Sequence, residues 1–209
     1  MKKFAITALI AVCLLCVQTP LNTNNREVGQ TYKTEDILFV SSTTHAVPKS
    51  IHAKETRADI EARITFLMNK AEPKIKDKDR KPIMDAIIKY SKKYDFSPVF
   101  VAAIILRESN FQKTLVEKST KCVGLMQVYQ KYHKEKMKEL GLSREDLYRI
   151  DANLNVGLWI LREHIDRRNG NLTKGLMDFN GVVRNIKQGK KYVTDIYALV
   201  FEAYGQKFA

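Results

Sequence analysis

The sequence predicts a mostly α, single-domain protein, and three observations predict it. Apolar residues recur at helical spacing in one segment after another, each bounded by a capping residue, a proline or a glycine. No stretch shows a convincing strand alternation, and there is neither an internal repeat nor a phosphate-binding glycine loop. Of the 209 residues, about 150 follow a polar N-terminal stretch, enough to bury roughly two-thirds of the unfolded surface in one core.

Residues 1–19 stand apart from that domain. Lys2 and Lys3 precede an apolar run from Phe4 to Val17, too short to cross a bilayer comfortably and patterned like an export signal. An uncleaved N-terminal anchor is the alternative. Cys13 and Cys16 lie inside this run, where a C-x-x-C has no folded partner, so Cys122 is left alone and no internal disulfide is expected. Residues 20–55 are rich in Asn, Thr and Ser and read as a loosely ordered linker. Within it, Ile37 to Val40 is a candidate strand or docking segment.

The domain is expected over residues 56–209. Thr56 opens a helix with Ile60, Ile64, Leu67, Met68 and Ala71 on one side, and Pro73 stops it. Lys74 to Lys81 reads as a loop, with Asp79 or Pro82 opening a helix that turns Ile83, Ile87 and Ile88 inward. Ser97 is a good N-cap and Pro98 suits the first helical position. Val99 to Leu106 then has no polar face, and a helix apolar all round is a buried helix. A lysine-rich segment stops at Gly141. Ser143 and Asp146 have capping-box spacing. Asp151 is expected to cap a helix carrying Leu154, Leu158, Leu161 and Ile165, which ends at Gly170. Thr173 is expected to cap a short apolar helix, and the last runs from about Lys191 to Tyr204.

Where the buried helix should end stand Arg107 and Glu108. The helix dipole is negative there and an apolar wall disfavours a bare carboxylate, so both effects raise the pKa of Glu108. A carboxylic acid still protonated near neutral pH is what general acid catalysis requires. The plain alternative is a glutamate paired at the surface with Arg107 or a lysine.

Beyond Glu108 come Ser109 and Phe111, then Gly124-Leu125-Met126-Gln127, then Asn153-Leu154-Asn155-Val156-Gly157, then Phe179-Asn180-Gly181, and finally Tyr192-Val193. In this order the motifs resemble those of the SLT-type lytic transglycosylases of the lysozyme-like superfamily. Gly124 to Val128 with Tyr132-His133-Lys134 is locally similar to goose-type lysozymes. The resemblance covers about residues 80 to 205 and implies a single lysozyme-like helical domain. It implies peptidoglycan glycan strands as substrate, cleavage between N-acetylmuramic acid and N-acetylglucosamine, Glu108 as the sole acid/base, and 1,6-anhydromuramyl products. A second carboxylate is not required, although Glu117, Asp151 and Asp178 are candidates by charge. Ser109, Ser119, Met126, Gln127, Phe179, Asn180 and Tyr192 fall on positions the resemblance assigns to the sugar groove. Met126 could equally be core, and Gln127 could bond its own turn. The chain departs from the family in two places. Lys121-Cys122 stand where the family has Gly-Ala, and Phe179 replaces a tyrosine whose hydroxyl binds the acid. Tyr192 is expected to supply that phenol.

The alternatives to a transglycosylase are a hydrolytic goose-type muramidase and a catalytically inactive wall-binding or secretion-apparatus subunit. No cofactor is expected. His133 and His164 lack metal-site spacing, so no metal is expected either. The formal charge is +13, of which Lys2 and Lys3 supply +2, leaving +11 on the rest. Such a charge favours polyanions, and an export signal argues for acidic wall polymers over nucleic acid. The expected location is the periplasm or cell envelope, with envelope machinery or a phage context as possible partners and membrane association through the N-terminus.

Overall fold

The computed structural model describes residues 55–181 and 185–206. The export segment, the linker and the apolar run at 37–40 lie outside the described residues. Seven α-helices occur among those described: α1 (Arg57–Asn69), α2 (Asp77–Tyr94), α3 (Pro98–Ser109), α4 (Lys134–Glu139), α5 (Ile150–Arg167), α6 (Leu172–Phe179) and α7 (Ile186–Gly205). Short 3-10 turns at Gln130–Tyr132 and Glu145–Tyr148 link them. The architecture is the helical, lysozyme-like one, with isolated antiparallel bridges (Val116 to Val123, Val123 to Val128) as its extended pairing among the described residues.

Helix α3 sits at the centre because its sequence allows no other place. Every residue from Val99 to Leu106 is buried, and α1, α2 and α7 pack around it. Helix α5 forms a second axis, packed on α2 and α6, with Leu154, Leu158, Leu161 and Ile165 facing inward. The α2–α5 seam is a polar ladder with a one-turn repeat on both helices. Asp151 accepts from Lys89 Nζ at 2.8 Å and the Tyr90 hydroxyl at 3.0 Å. One turn on, Asn155 accepts from Lys93 Nζ at 2.8 Å and the Tyr94 hydroxyl at 2.7 Å.

Several helix starts differ from the sequence expectation, and in most of them tertiary contacts decide. Thr56 does cap α1, in a reciprocal box with Asp59. Ser97 occupies the N-cap of α3, but its buried hydroxyl makes no hydrogen bond; the start rests on Pro98 and on burial. Helix α2 begins at Asp77, a turn before Pro82. The carboxylates of its first turn favour the dipole, and Asp79 Oδ1 is held at 2.7 Å by Lys113 Nζ. Arg149, not Asp151, is the N-cap of α5, because Asp151 is committed to α2. Asn171 caps α6 instead of Thr173, accepting from Lys174 N at 2.9 Å. Helix α7 starts at Ile186, five residues before the expected Lys191, so Tyr192 and Val193 lie well inside it.

The first and last helices are joined by Arg63. Its Nε lies 2.6 Å from Glu55 Oε1, its Nη1 donates to the Ala203 carbonyl at 2.7 Å, and its guanidinium stacks 4.7 Å over the Tyr204 ring. The Glu55 side chain is only 5% exposed, so removing its partner strands a charge. Arg63→Met is expected to lower stability by about 3 kcal/mol, read as a lower urea midpoint, and Glu55→Gln added to it should restore part of the loss.

Candidate active site

Glu108 lies in the last turn of α3. The chain leaves that helix through two consecutive left-handed residues, Asn110 (φ 48°) and Phe111 (φ 59°). Asn tolerates this conformation, whereas Phe does so at a cost of order 1 kcal/mol; the buried Phe111 ring anchors the exit. Glu108 itself is half-buried. Tyr192 of α7, 2% exposed, donates its hydroxyl to Glu108 Oε1. Asn180, the C-cap of α6, makes a further polar contact with the same carboxyl. The apolar enclosure raises the Glu108 pKa above the ordinary carboxylate value, against the opposing pull of Tyr192, Arg107 and Asn180. Burial and the neighbouring Glu108 push the Tyr192 phenol well above its own ordinary value, so it stays a donor.

Opposite α3 stands the Gly124–Gln127 turn, closed by Gln127 N donating to the Gly124 carbonyl at 3.2 Å. Its shape is dictated by Asn153 of α5, which is fully buried. Asn153 Oδ1 accepts from Met126 N at 2.8 Å, while Nδ2 donates to the carbonyls of Val123 at 2.9 Å and Leu147 at 2.8 Å. Gly124 has φ +79°, and a Cβ there would lie 2.2 Å from Asn153 Nδ2. One turn along α5, a Cβ on Gly157 would lie 2.4 Å from Met126 Cβ. The Asn-x-x-x-Gly spacing thus puts a clamp and a notch on one helix face, and the turn seats in both. The Ser109 hydroxyl joins this assembly to α3, placed 2.9 Å from the Leu125 carbonyl and 3.1 Å from that of Ile105.

These contacts redistribute the residues singled out in the sequence. Ser109 and Met126 are 2% and 1% exposed: the Ser109 hydroxyl lies 2.9 Å from the Leu125 carbonyl of the turn, and Met126 belongs to the core. Gln127 Nε2 donates to the Gly124 carbonyl at 2.8 Å, bonding its own turn. Ser119 is exposed and bonded to Glu117 Oε1 at 3.0 Å. Phe179 is half-buried and packs on the core, while Asn180 and Tyr192 converge on Glu108. Lys121, at the position where the family has glycine, adopts the left-handed φ of 63° that glycine takes freely. The sequence offers Asn153 and Gly157 as an i, i+4 motif but assigns Asn153 no role; the clamp on the turn appears only in the structure.

The candidate second carboxylates are committed elsewhere. Asp151 is tied to α2, Asp178 is held bidentately by Arg168 at 2.6 and 2.9 Å, and Glu117 by Ser119. All three pKa values are lowered by those partners, whereas that of Glu108 is raised. His133 and His164 are both lowered, first by burial, His133 to about 4. Among the described residues no group of three or more His, Cys, Asp or Glu is placed to hold a metal. No helix of the described residues is long and apolar enough to cross a membrane.

The family profile of the transglycosylase SLT domain matches residues 85–197, which holds α3, the turn, the Asn153 clamp, Asn180 and Tyr192. The chain belongs to this family. Among solved structures, the SLT domain is similar to an inactive mutant of the lytic transglycosylase Slt from Pseudomonas aeruginosa, at 18% identity and a TM-score of 0.50. That likeness speaks for the fold. It covers 58% of this chain and 24% of that one, so the chain spans only a fraction of the neighbour's length. No curated protein matches the sequence.

Two outcomes follow for the SLT domain. Asn153→Leu leaves the Met126 N–H and the Leu147 carbonyl without their amide partner, while the Val123 carbonyl still accepts from Val128 N at 3.0 Å, and is expected to destabilise by about 3 kcal/mol, checked by chemical denaturation. A carboxyl with a raised folded pKa binds its proton more tightly than in the unfolded chain, so its contribution is lost as pH rises from the ordinary carboxylate range through the folded pKa. Glu108→Gln is therefore expected to melt higher than wild type above about pH 5, with the gap closing below pH 4; equal melting curves across that range would count against the buried acid.

Proposed function

We propose that the protein is a peptidoglycan lytic transglycosylase, with Glu108 as its single acid and base. The observation that supports this reading above the others is the enclosure of Glu108: a carboxyl at the end of an all-apolar helix, pushed toward its protonated form and fixed by the Tyr192 hydroxyl. In the protonated state Glu108 gives its proton to the oxygen bridging N-acetylmuramic acid to N-acetylglucosamine as the bond from C1 breaks. The oxocarbenium character at C1 is met by the sugar's own acetamido group, so no second carboxylate is needed. The Glu108 carboxylate, now accepting from Tyr192, takes the proton of the muramyl 6-hydroxyl while O6 closes on C1. The acid is regenerated, no water is consumed, and the product ends in a 1,6-anhydro ring.

In this reading Tyr192 and Asn180 orient the carboxyl and stabilise it when charged. Tyr192 takes the part of the missing phenol at Phe179. The turn from Gly124 to Gln127, rigid through Asn153, forms the wall facing the acid. Export through residues 1–19 would bring the domain, with its positive charge, to acidic wall polymers in the periplasm or envelope, in growth, secretion or a phage context.

Digestion of purified murein sacculi followed by mass spectrometry tests the assignment. The expected products carry anhydromuramyl ends, and Glu108→Gln is expected to lower their yield at least about a thousandfold. Reducing muramyl ends would make the enzyme a hydrolytic muramidase. Unchanged digestion by Glu108→Gln would remove Glu108 as the acid, and no digestion by wild type would favour the non-catalytic wall-binding reading.

A further inference from the structure

Arg107 precedes Glu108 in the last turn of α3, and a guanidinium within reach of a carboxylate holds it ionised. In the structure Arg107 is drawn toward α7. Its Nε lies 3.3 Å from Asp195 Oδ2, and its guanidinium carbon is 5.6 Å from the centre of the Tyr192 ring. Asp195 is anchored in turn by Lys191 Nζ at 2.7 and 2.9 Å. Tyr192 and Asp195 are i, i+3 on one face of α7, so that face grips the two consecutive residues of α3 separately: the phenol takes Glu108, the carboxylate takes Arg107.

We propose that Asp195 is a positioning residue for the reaction, tethering the Arg107 guanidinium on α7 so that it does not pair with Glu108. The inference rests on Glu108 being the acid. The Arg107 and Asp195 side chains are 43% and 29% exposed, and an ion pair that open to water contributes little to folding, so the pair's location beside the acid matters more than its strength. The groups that act on Glu108 are Tyr192 of α7, Arg107 of α3 and Asn180 at the end of α6, while Cys122, from the loop before the turn, feels its charge. Of these, Arg107 brings the positive charge; Lys191 stands behind it on Asp195. Neutralising Asp195 releases the guanidinium. A free guanidinium one residue from Glu108 favours its carboxylate, depleting the proton donor at neutral pH.

The test is the pH profile of murein clearing by the full chain. Asp195→Asn is expected to move the basic limb toward acid by about one pH unit, with a melting temperature close to that of wild type. Asp195→Glu should keep the wild-type profile. Arg107→Gln should move the limb the other way, and Arg107→Gln combined with Asp195→Asn should erase the acid shift. An unmoved limb in Asp195→Asn, or an acid shift that persists in the double variant, overturns the proposal. Should Asp195→Asn fail to fold, Asp195→Ser takes its place, and an unmoved limb there overturns the proposal equally. Full activity in Glu108→Gln would instead remove the functional reading itself.

Discussion

A carboxyl group at the tail of an all-apolar helix is partly withdrawn from water only if the helix before it is enclosed, and the rest of this domain is arranged to do that. Helices α1, α2 and α7 cover α3, and the Ser109 hydroxyl and buried Phe111 fix how the chain departs from it. Enclosure disfavours the charged form of Glu108, while Tyr192 and Asn180 keep the charged form within reach. The acid and base role proposed for Glu108 needs that balance. Deeper burial without the phenol would lock the proton on, and an open site would lose it to water.

The second constraint comes from the opposite wall. A four-residue turn exposes backbone groups that would otherwise rearrange, and one buried amide, that of Asn153, ties Met126 in the turn to Val123 just before it and to Leu147 of the neighbouring 3-10 turn. That arrangement explains why Gly124 and Gly157 are glycines: one has no room beside the amide and a positive φ, and the other receives Met126. The shape of the turn is thus a packing problem solved on α5, a helix that does not itself carry Glu108. Part of the folding stability is given up at the acid, since a buried carboxyl opposes folding at neutral pH, and the hydrophobic core makes up for it.

Much of this was legible in the sequence because it depends on local pattern. The run from Val99 to Leu106 could only be buried, and the Leu154, Leu158, Leu161, Ile165 stripe could only face a neighbour. Caps were less legible. Ser97, Asp151 and Thr173 all have the chemistry of N-caps, yet one has an unbonded hydroxyl, one reaches across to α2, and one stands beside Tyr197 at 3.4 Å. A side chain of that kind takes whatever partner the packing offers, and the partner lies far along the chain. For the same reason the interior places of Ser109 and Met126 were not decided by the motif, which left Met126 open between core and groove.

The sequence by itself determined the helical class, the central place of α3 and the presence of an acid at its end, because hydrophobic periodicity and helix-end chemistry act over a few neighbouring residues. It also placed Asn153 and Gly157 one turn apart, without revealing why. Only the tertiary structure decided that the amide of Asn153 clamps the turn, that Tyr192 meets Glu108 across 84 residues, and that Asp195 holds Arg107 across 88. Those contacts depend on the relative rotation of α3, α5 and α7, and that rotation is set by the whole core packing at once.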